Sequence, residues 1–512
     1  MKATIVVILV CFFFVSNANA RISWTSNVKG PKGELPAVPA AKGYGVYTRP
    51  AKNAKVIKVT NVKESGAGSL EACIEASGPR VCVFEVAGRI KYRGNFDIRK
   101  GDLHIAGQTA PNPGIVVQAP RSVIRASNVV IEHMRFMSTD ELTNRNIRDS
   151  SGYNRRDALV IEGGKSIFLN HVTVNFGVDG NLDIAGRTDN ITIRNSLVGM
   201  MLNFSIHANG NWRGLGAHSF NMLISHQVGN VDITRSVLAY AQGRLPRSGA
   251  RNLFYSENVN YHTNRNFFVD LYTRAGGKNN RTVNANVVGN VFITDRSNTS
   301  IVNTYADKGG KVNVYSAKND LILERGRSIR SPSGAASTIR RTKGGSSKVL
   351  TRAVSMPHKQ SIPRSPVREK DVLNLAGARP AARIPLEREI VRNISARKGE
   401  VVNCYHETGD RKFNTVLQKY AKYKDRNAPS IKDRCELDKK GWNGWRQWLL
   451  ATKVVSKRSL NGRLPRTSDL NRTLPSGYTH LEAFLHACSR KVEQNSGDCH
   501  SRNIDRSGRG WR

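Results

Sequence analysis

Three aspartates and two arginines carry the densest chemistry in this sequence. Asp179 and Asp183 stand four residues apart in Asp179-Gly-Asn-Leu-Asp183-Ile. On a strand that spacing has a single parity, so both carboxylates leave the same face unless a turn intervenes. Asp157, in Arg156-Asp-Ala-Leu-Val-Ile, adds a third carboxylate upstream. Hard oxygen donors of this kind suit Ca²⁺, although each aspartate taken singly reads as a turn residue or an exposed charge. Downstream, Arg244-Leu-Pro-Arg247 follows the run Val231-Asp-Ile-Thr-Arg-Ser-Val-Leu. A guanidinium pairs bidentately with a carboxylate. The trio and the arginine pair together predict a site for a cation and an anionic ligand.

Such residues need a rigid scaffold. From about residue 55 to 325, short β-type runs recur between Gly, Asn and Asp turns. They begin near Leu103, Val129, Ile167, Ile191, Val231, Leu253, Val283 and Val312, at intervals of roughly 20 to 40 residues. Recurrence at this period predicts a solenoid in which each coil covers the apolar face of the next. The helical signal between the runs is weak, which argues against a βαβ sheet. A β-sandwich or propeller is the rival architecture.

The ends of the chain read differently. Lys2, the apolar run Ile5 to Val15 and Ala18-Asn19-Ala20 form a leader peptide over residues 1–20, with a membrane anchor as the alternative. The expected domains are then a β-solenoid over 21–325, a basic linker and returning tail over 326–400, and a cysteine-containing region over 401–512. Trp442, Trp445 and Trp448, spaced for one helix face, read as core before they read as a sugar platform. Export agrees with six cysteines beyond the leader, which predict disulfides. The spacing suggests Cys73–Cys82. Pairing among Cys404, Cys435, Cys488 and Cys499 is open. Sequons at Asn190, Asn203, Asn280, Asn298, Asn393 and Asn471 predict glycosylation in a eukaryotic secretory path. No CxxC pair or Cys/His cluster supports zinc. The formal net charge of +41 attracts polyanions. For an exported chain the partner is an acidic polysaccharide rather than nucleic acid or a membrane.

The motifs, taken in order, resemble polysaccharide lyase family 1, the pectate lyases. They are Gly43-Tyr-Gly, Val59-Thr-Asn, Ser65-Gly-Ala-Gly-Ser-Leu70, Phe84-Glu-Val-Ala-Gly-Arg-Ile, Ala106-Gly-Gln-Thr-Ala-Pro, Ile131-Glu-His-Met-Arg-Phe136, Asp157-Ala-Leu and His171-Val-Thr-Val. Val372-Leu-Asn-Leu-Ala-Gly-Ala-Arg-Pro380, Glu389-Ile-Val and Gly477-Tyr-Thr-His-Leu-Glu-Ala-Phe-Leu485 are similar to segments that close such lyases. The resemblance covers most of residues 40 to 320 and implies an all-β, right-handed parallel β-helix. It implies a monomer that cleaves pectate or polygalacturonate by β-elimination. It implies Ca²⁺ held by Asp157, Asp179 and Asp183, with Arg244 as the base that removes the C5 proton and Arg247 binding substrate carboxylates. An arginine base calls for a low-dielectric, positive surrounding. The family often carries a substrate-binding lysine in a His-Ser-Lys-Gly-like stretch. Here that stretch reads His207-Ala-Asn209-Gly, and Arg213 is the candidate substitute. A second arginine of some relatives falls on Gly249, with Arg251 nearby as its candidate replacement.

Two other function classes compete. A non-catalytic acidic-glycan-binding protein explains the missing lysine and the extreme charge. A glycoside hydrolase would use paired carboxylates, but the Gly-His-Gly segment of polygalacturonases is absent.

Overall fold

The computed structural model describes residues 34–138, 156–203, 218–263, 265–273, 281–296, 298–324, 328–330, 338–356, 361–399, 454–494 and 497–500. The leader, Arg213, the tryptophan stripe, Cys404 and Cys435 lie outside these residues.

Each circuit of the chain lays one strand on each of three sheets. Sheet A has eleven strands and begins with Lys55–Val59, sheet B has eleven and includes Val86–Lys91, and sheet C has nine and includes Phe96–Ile98. Neighbouring coils pair in parallel, as Leu159–Glu162 does with Leu182–Ala185. Among the described residues, pairing between named strands turns antiparallel only at two ends, Asp320–Leu323 with Ser328–Arg330 and Val86–Lys91 with Val454–Lys457. The architecture is a parallel β-helix, as the recurring runs predict.

The interior is a stack of aliphatic rows. One row runs Leu103, Val129, Ile167, Ile191, Val231, Leu253, Ala285, Val314, each the partner of the next. All eight are buried. At about 25 cal/mol per Å² of apolar surface removed from water, such rows hold the coils together. The runs legible in the sequence all belong to sheet A, and several hide a corner. His133, His171, Asn195, Arg235, Glu257 and Lys318 have φ between 50 and 56°, a left-handed conformation that swings the chain from sheet A to sheet B. Beside these corners a buried ladder supplies hydrogen bonds: Asn258 Nδ2 donates to Asn290 Oδ1 at 3.1 Å, and Asn290 Nδ2 to Asn319 Oδ1 at 3.0 Å.

The boundary expected at 325 is corrected by the pairing. Thr338–Lys343 pairs with Ser300–Asp307, and Ser346–Val349 with Lys311–Ala317, so the β-helix continues beyond it. The side chains of residues 340–343 and of Ser346–Val349 are exposed or half-buried. Their polar composition therefore reads as a linker although the backbone is in the ladder.

The outer faces of the three sheets differ. After the short helix α1 (Leu70–Ile74), helices α2 (Glu369–Leu375) and α3 (Pro385–Ser395) roof sheet B, and their Val372, Leu386, Ile390 and Ile394 pack on Leu197, Val237, Val259 and Val291. A buried ion pair anchors α3: Arg135 Nε and Nη2 donate to the two oxygens of Glu387 at 2.9 and 2.8 Å. A strap near residues 37–46 lies on Val130 and Phe168 of sheet A. Gly45 permits that approach, since a Cβ there would stand 2.2 Å from the Ile167 carbonyl oxygen. Helix α4 (His480–Gln494) docks through Glu482 on Arg49, with Nε–Oε1 at 2.7 Å. Disulfides join Cys73 to Cys82 and Cys488 to Cys499. No helix among the described residues is long and apolar enough to cross a membrane. Sheet C carries the polar side chains of interest.

Candidate active site

Asp183 lies on the sheet C strand Leu182–Ala185, while Asp179 occupies the bend before it. The single-strand geometry expected for the pair is therefore corrected. The cause is a tight turn: Asn181 Oδ1 accepts from the Gly177 backbone N–H at 2.9 Å, and a Cβ on Gly177 would fall 1.9 Å from the Gly180 carbonyl oxygen. The turn still gathers the carboxylates. Gly180 lies between Asp157 and Asp183, and a Cβ there would meet Asp183 Oδ1 at 2.6 Å and Asp157 Oδ1 at 2.8 Å. Lack of a side chain at 180 is what leaves both oxygens a common space. Asp157 lies two residues before the strand Leu159–Glu162, whose Val160 pairs with Asp183.

Each carboxylate is held differently. Asp157 is 4% exposed, its Oδ2 accepts from Arg121 Nε at 3.3 Å, and its Oδ1 meets no donor among the described residues. Asp183 Oδ1 accepts from the Leu223 N–H at 2.9 Å. Asp179 Oδ1 accepts from His218 Nε2 at 2.8 Å. Burial raises Asp157 well above the usual carboxylate range, and the negative charges of Asp183 and Asp179 push the same way. Asp183 is pushed up to about 7, by burial first; the Arg244 charge pulls it down and Asp179 adds to the rise. Crowded carboxylates of this kind are relieved by a proton or by a cation.

The basic side of the site begins with Arg244. Its backbone is left-handed, with φ 60°, and its guanidinium lies over the Phe220 ring, 4.4 Å from the centroid. His218 meets the same ring edge-on at 4.7 Å. Phe220 thus links the residue that holds Asp179 to Arg244. Arg247, on the strand Arg247–Ser248, faces Asp270 at 3.3 Å and lies over Tyr272 at 4.5 Å. Arg244 and Arg247 both line a cavity of about 360 Å³ with His226, Tyr272, Tyr305 and Asp307. They also line a second of about 590 Å³ that extends to Arg341. Arg251 lines neither; it precedes the sheet A strand Asn252–Ser256. Arg213 lies outside the described residues. Sequence reasoning missed Arg121, His218 and Phe220. Nothing in their local pattern marks them, since each earns its place by a contact across coils.

The orphaned Asp157 Oδ1, the space at Gly180 and the all-oxygen donor set fit a hard divalent cation. Among the described residues, the group whose ligating atoms all lie within 4.8 Å of one another is a different one: His133, His171 and Glu493. That group is a poorer metal site. Its imidazoles stack at 4.7 Å with planes 7° apart, so their lone pairs run parallel rather than converge. Their Nε2 atoms are also engaged, His133 by Ser489 at 2.6 Å and His171 by Asn195 at 3.2 Å.

Curated proteins provide a comparison. Over 261 residues, 51% of this chain, the sequence is 30% identical to the probable pectate lyase C of Aspergillus flavus, covering 55% of that protein. The probable pectate lyase C of Aspergillus fumigatus is 30% identical over 264 residues, again covering 55% of that protein. Over half of its length, then, this chain is similar to pectate lyases. It spans about half the length of the curated pectate lyases it matches. No family model matches it. Among solved structures, a thermostable pectate lyase superposes with a TM-score of 0.45 at 15% identity, over 66% of this chain and 96% of that one. The cedar pollen allergen jun a 1 gives 0.41 at 15% identity, over 69% and 92%.

Proposed function

We propose that this chain cleaves polygalacturonate, or a closely related polyuronate, by cation-assisted β-elimination outside the cell. The observation that carries the reading is the juxtaposition of two opposite environments on sheet C. Carboxylates converge at Gly180, and Arg244 stands beside them over Phe220.

A uronate C5–H is weakly acidic, and its removal places negative charge on the adjoining carboxylate. Asp157 and Asp183, with Asp179 as the third donor, would hold Ca²⁺, which supplies positive charge to that carboxylate when bound. Arg244, after giving up its own proton to solvent, would act as the neutral base that takes the C5 proton. The C4–O4 bond then breaks, a C4–C5 double bond forms, and the leaving oxygen is protonated from solvent. Phe220 fixes the Arg244 plane by cation–π contact, so little side-chain freedom is lost on binding. Arg247, 40% exposed at its side chain, is available to pair with a substrate carboxylate while Asp270 and Tyr272 orient it. The leader over 1–20, a monomeric state and glycosylation at the sequons belong to the same reading.

The test is ultraviolet absorbance during incubation with polygalacturonate at mildly alkaline pH, with Ca²⁺ and then with chelator. An absorbance rise abolished by chelator, and lost in Arg244→Ala, is expected. An undiminished rate in Arg244→Ala would remove that residue from the chemistry. A second reading, binding without cleavage, is favoured by the missing lysine in His207-Ala-Asn209-Gly. It predicts a flat trace with the polymer retained by the protein.

A further inference from the structure

The positive charge in this groove extends past the arginines used so far. Arg265, Arg296 and Arg341 come from three separate segments: just before the strand Phe267–Tyr272, just after Val291–Thr294, and within Thr338–Lys343. With Arg244 and Arg247 they line the cavity of about 590 Å³. Against five guanidiniums, the lining contains a single carboxylate, Asp270. Asp270 is already engaged by Arg247 at 3.3 Å and by Asn303 Nδ2 at 2.7 Å. Arg296 has Asp295 at 3.9 Å, with both side chains close to half exposed, and such a pair is worth little. The surplus charge is therefore not met by the carboxylate in the lining.

The register shows where that charge points. Arg247 pairs with Asp270, Asp270 with Asn303 and Asn303 with Ile339. Arg341 is two residues beyond Ile339, on the same face of its strand. Three strand spacings separate its coil from that of Arg247, roughly 14 Å at 4.7–4.9 Å each. One coil spacing is close to the length of one pyranose unit, so a sugar chain laid along sheet C advances about one unit per coil. Tyr305 pairs with Arg341 in the same ladder and lines the same cavity.

We propose that Arg296 and Arg341 form a distal carboxylate-gripping stretch of the groove, which binds uronate units about two to three sugars beyond the cleaved linkage and does so without a divalent cation. This rests on the polyuronate reading of the site. It follows from the absence of any acidic cluster in the lining of this cavity and from the match of a guanidinium fork to a carboxylate. The stretch makes the enzyme select long, unesterified runs over short or esterified ones.

The experiment is calorimetric binding of galacturonate trimers and hexamers to the full chain in excess chelator, using the wild type and an Arg296→Ala/Arg341→Ala double variant. Hexamer affinity is expected to fall by about tenfold or more, and trimer affinity by a several-fold smaller factor. The hexamer should also lose part of its salt dependence. The Arg296→Lys/Arg341→Lys variant, which keeps charge without the planar fork, guards against a folding artefact and should recover affinity in part. An equal loss at both lengths, or none at either, overturns the proposal, as does an equal loss for the fully methyl-esterified hexamer. The lyase assay separates the two readings. If wild-type protein yields no unsaturated product while the hexamer still loses affinity in the double variant, the proposed reaction fails and the distal stretch stands. If product forms and the double variant binds hexamer as wild type does, the stretch fails and the reaction stands.

Discussion

Sheets B and C are built by the same coils and share one interior, yet their outer faces have opposite fates. The outward row of sheet B is apolar, Leu197, Val237, Val259 and Val291, and is roofed by α2 and α3. The corresponding face of sheet C presents Asp183, Arg247, Asp270 and Asn303, and no helix is packed on it among the described residues. Inward residues generate the fold and are nearly interchangeable between sheets. Outward residues decide whether a face becomes structure or site. The lesson is that stability and chemistry are written on different parities of the same strands.

That contrast can be broken by substitution. Arg244→Lys should reduce turnover by about 10²–10⁴-fold, the range for a lost general base, while the melting temperature stays unchanged. A comparable drop in melting temperature would show that the sheet C face is structural after all. On the sheet B side, Glu387→Ala leaves Arg135 buried without its partner. Denaturant unfolding should show a loss of about 3–5 kcal/mol, with the specific activity of the folded fraction preserved. Burial opposes ionisation of Glu387, but Arg135 outweighs it and holds the carboxyl below its usual range. Gly180→Ala tests the space between the carboxylates: displacement of Asp157 and Asp183 should lower kcat/KM by up to about a hundredfold, with a smaller effect on stability. Wild-type kinetics in that variant would mean that the two carboxylates do not act together.

The smallest effect concerns pH and a third surface, beneath α4. Burial lowers His133 to about 3 and His486 to about 4. A depressed folded value means that the unfolded chain binds the proton more readily. The stabilising contribution is therefore present above pH 6.5 and is lost as pH falls through the folded values. Glu132, lowered to about 2 by His104 against the opposing effect of burial, adds a loss below pH 4.5. Hydrogen exchange should show α4 loosening between pH 6 and 4 before the coils of sheet A. Simultaneous loss across the molecule would contradict this.

The sequence made one parity legible and left the other largely hidden. The sheet A runs stood out because their interior positions are consistently aliphatic, as at Ile167 and Leu169. They concealed corners such as His133, where an unremarkable residue adopts a left-handed backbone imposed by the stack. Sheet C was far less readable. Its strands Leu223–Ile224 and Arg247–Ser248 are two residues long and offer no period to detect. The Asp and Arg candidates were found by motif resemblance and chemistry. Arg121, His218 and Phe220 had no local signal, since each acts on a residue more than twenty positions away. The linker assignment failed past 325 because the strands that end the solenoid are mostly polar, with apolar residues only at Ile339 and Val349.

The antiparallel strand Val454–Lys457 that closes Val86–Lys91 has a consequence in time. Synthesis proceeds from the N-terminus at about 5–20 residues per second, so the first coil of sheet B emerges tens of seconds before the strand that covers its edge. Through that interval the oldest part of the molecule presents an open template of backbone donors and acceptors to any passing strand. Each chain is therefore completed only when its late segment returns to its beginning, and a ribosome that stalls short of residue 454 leaves behind a β-helix with one sticky end.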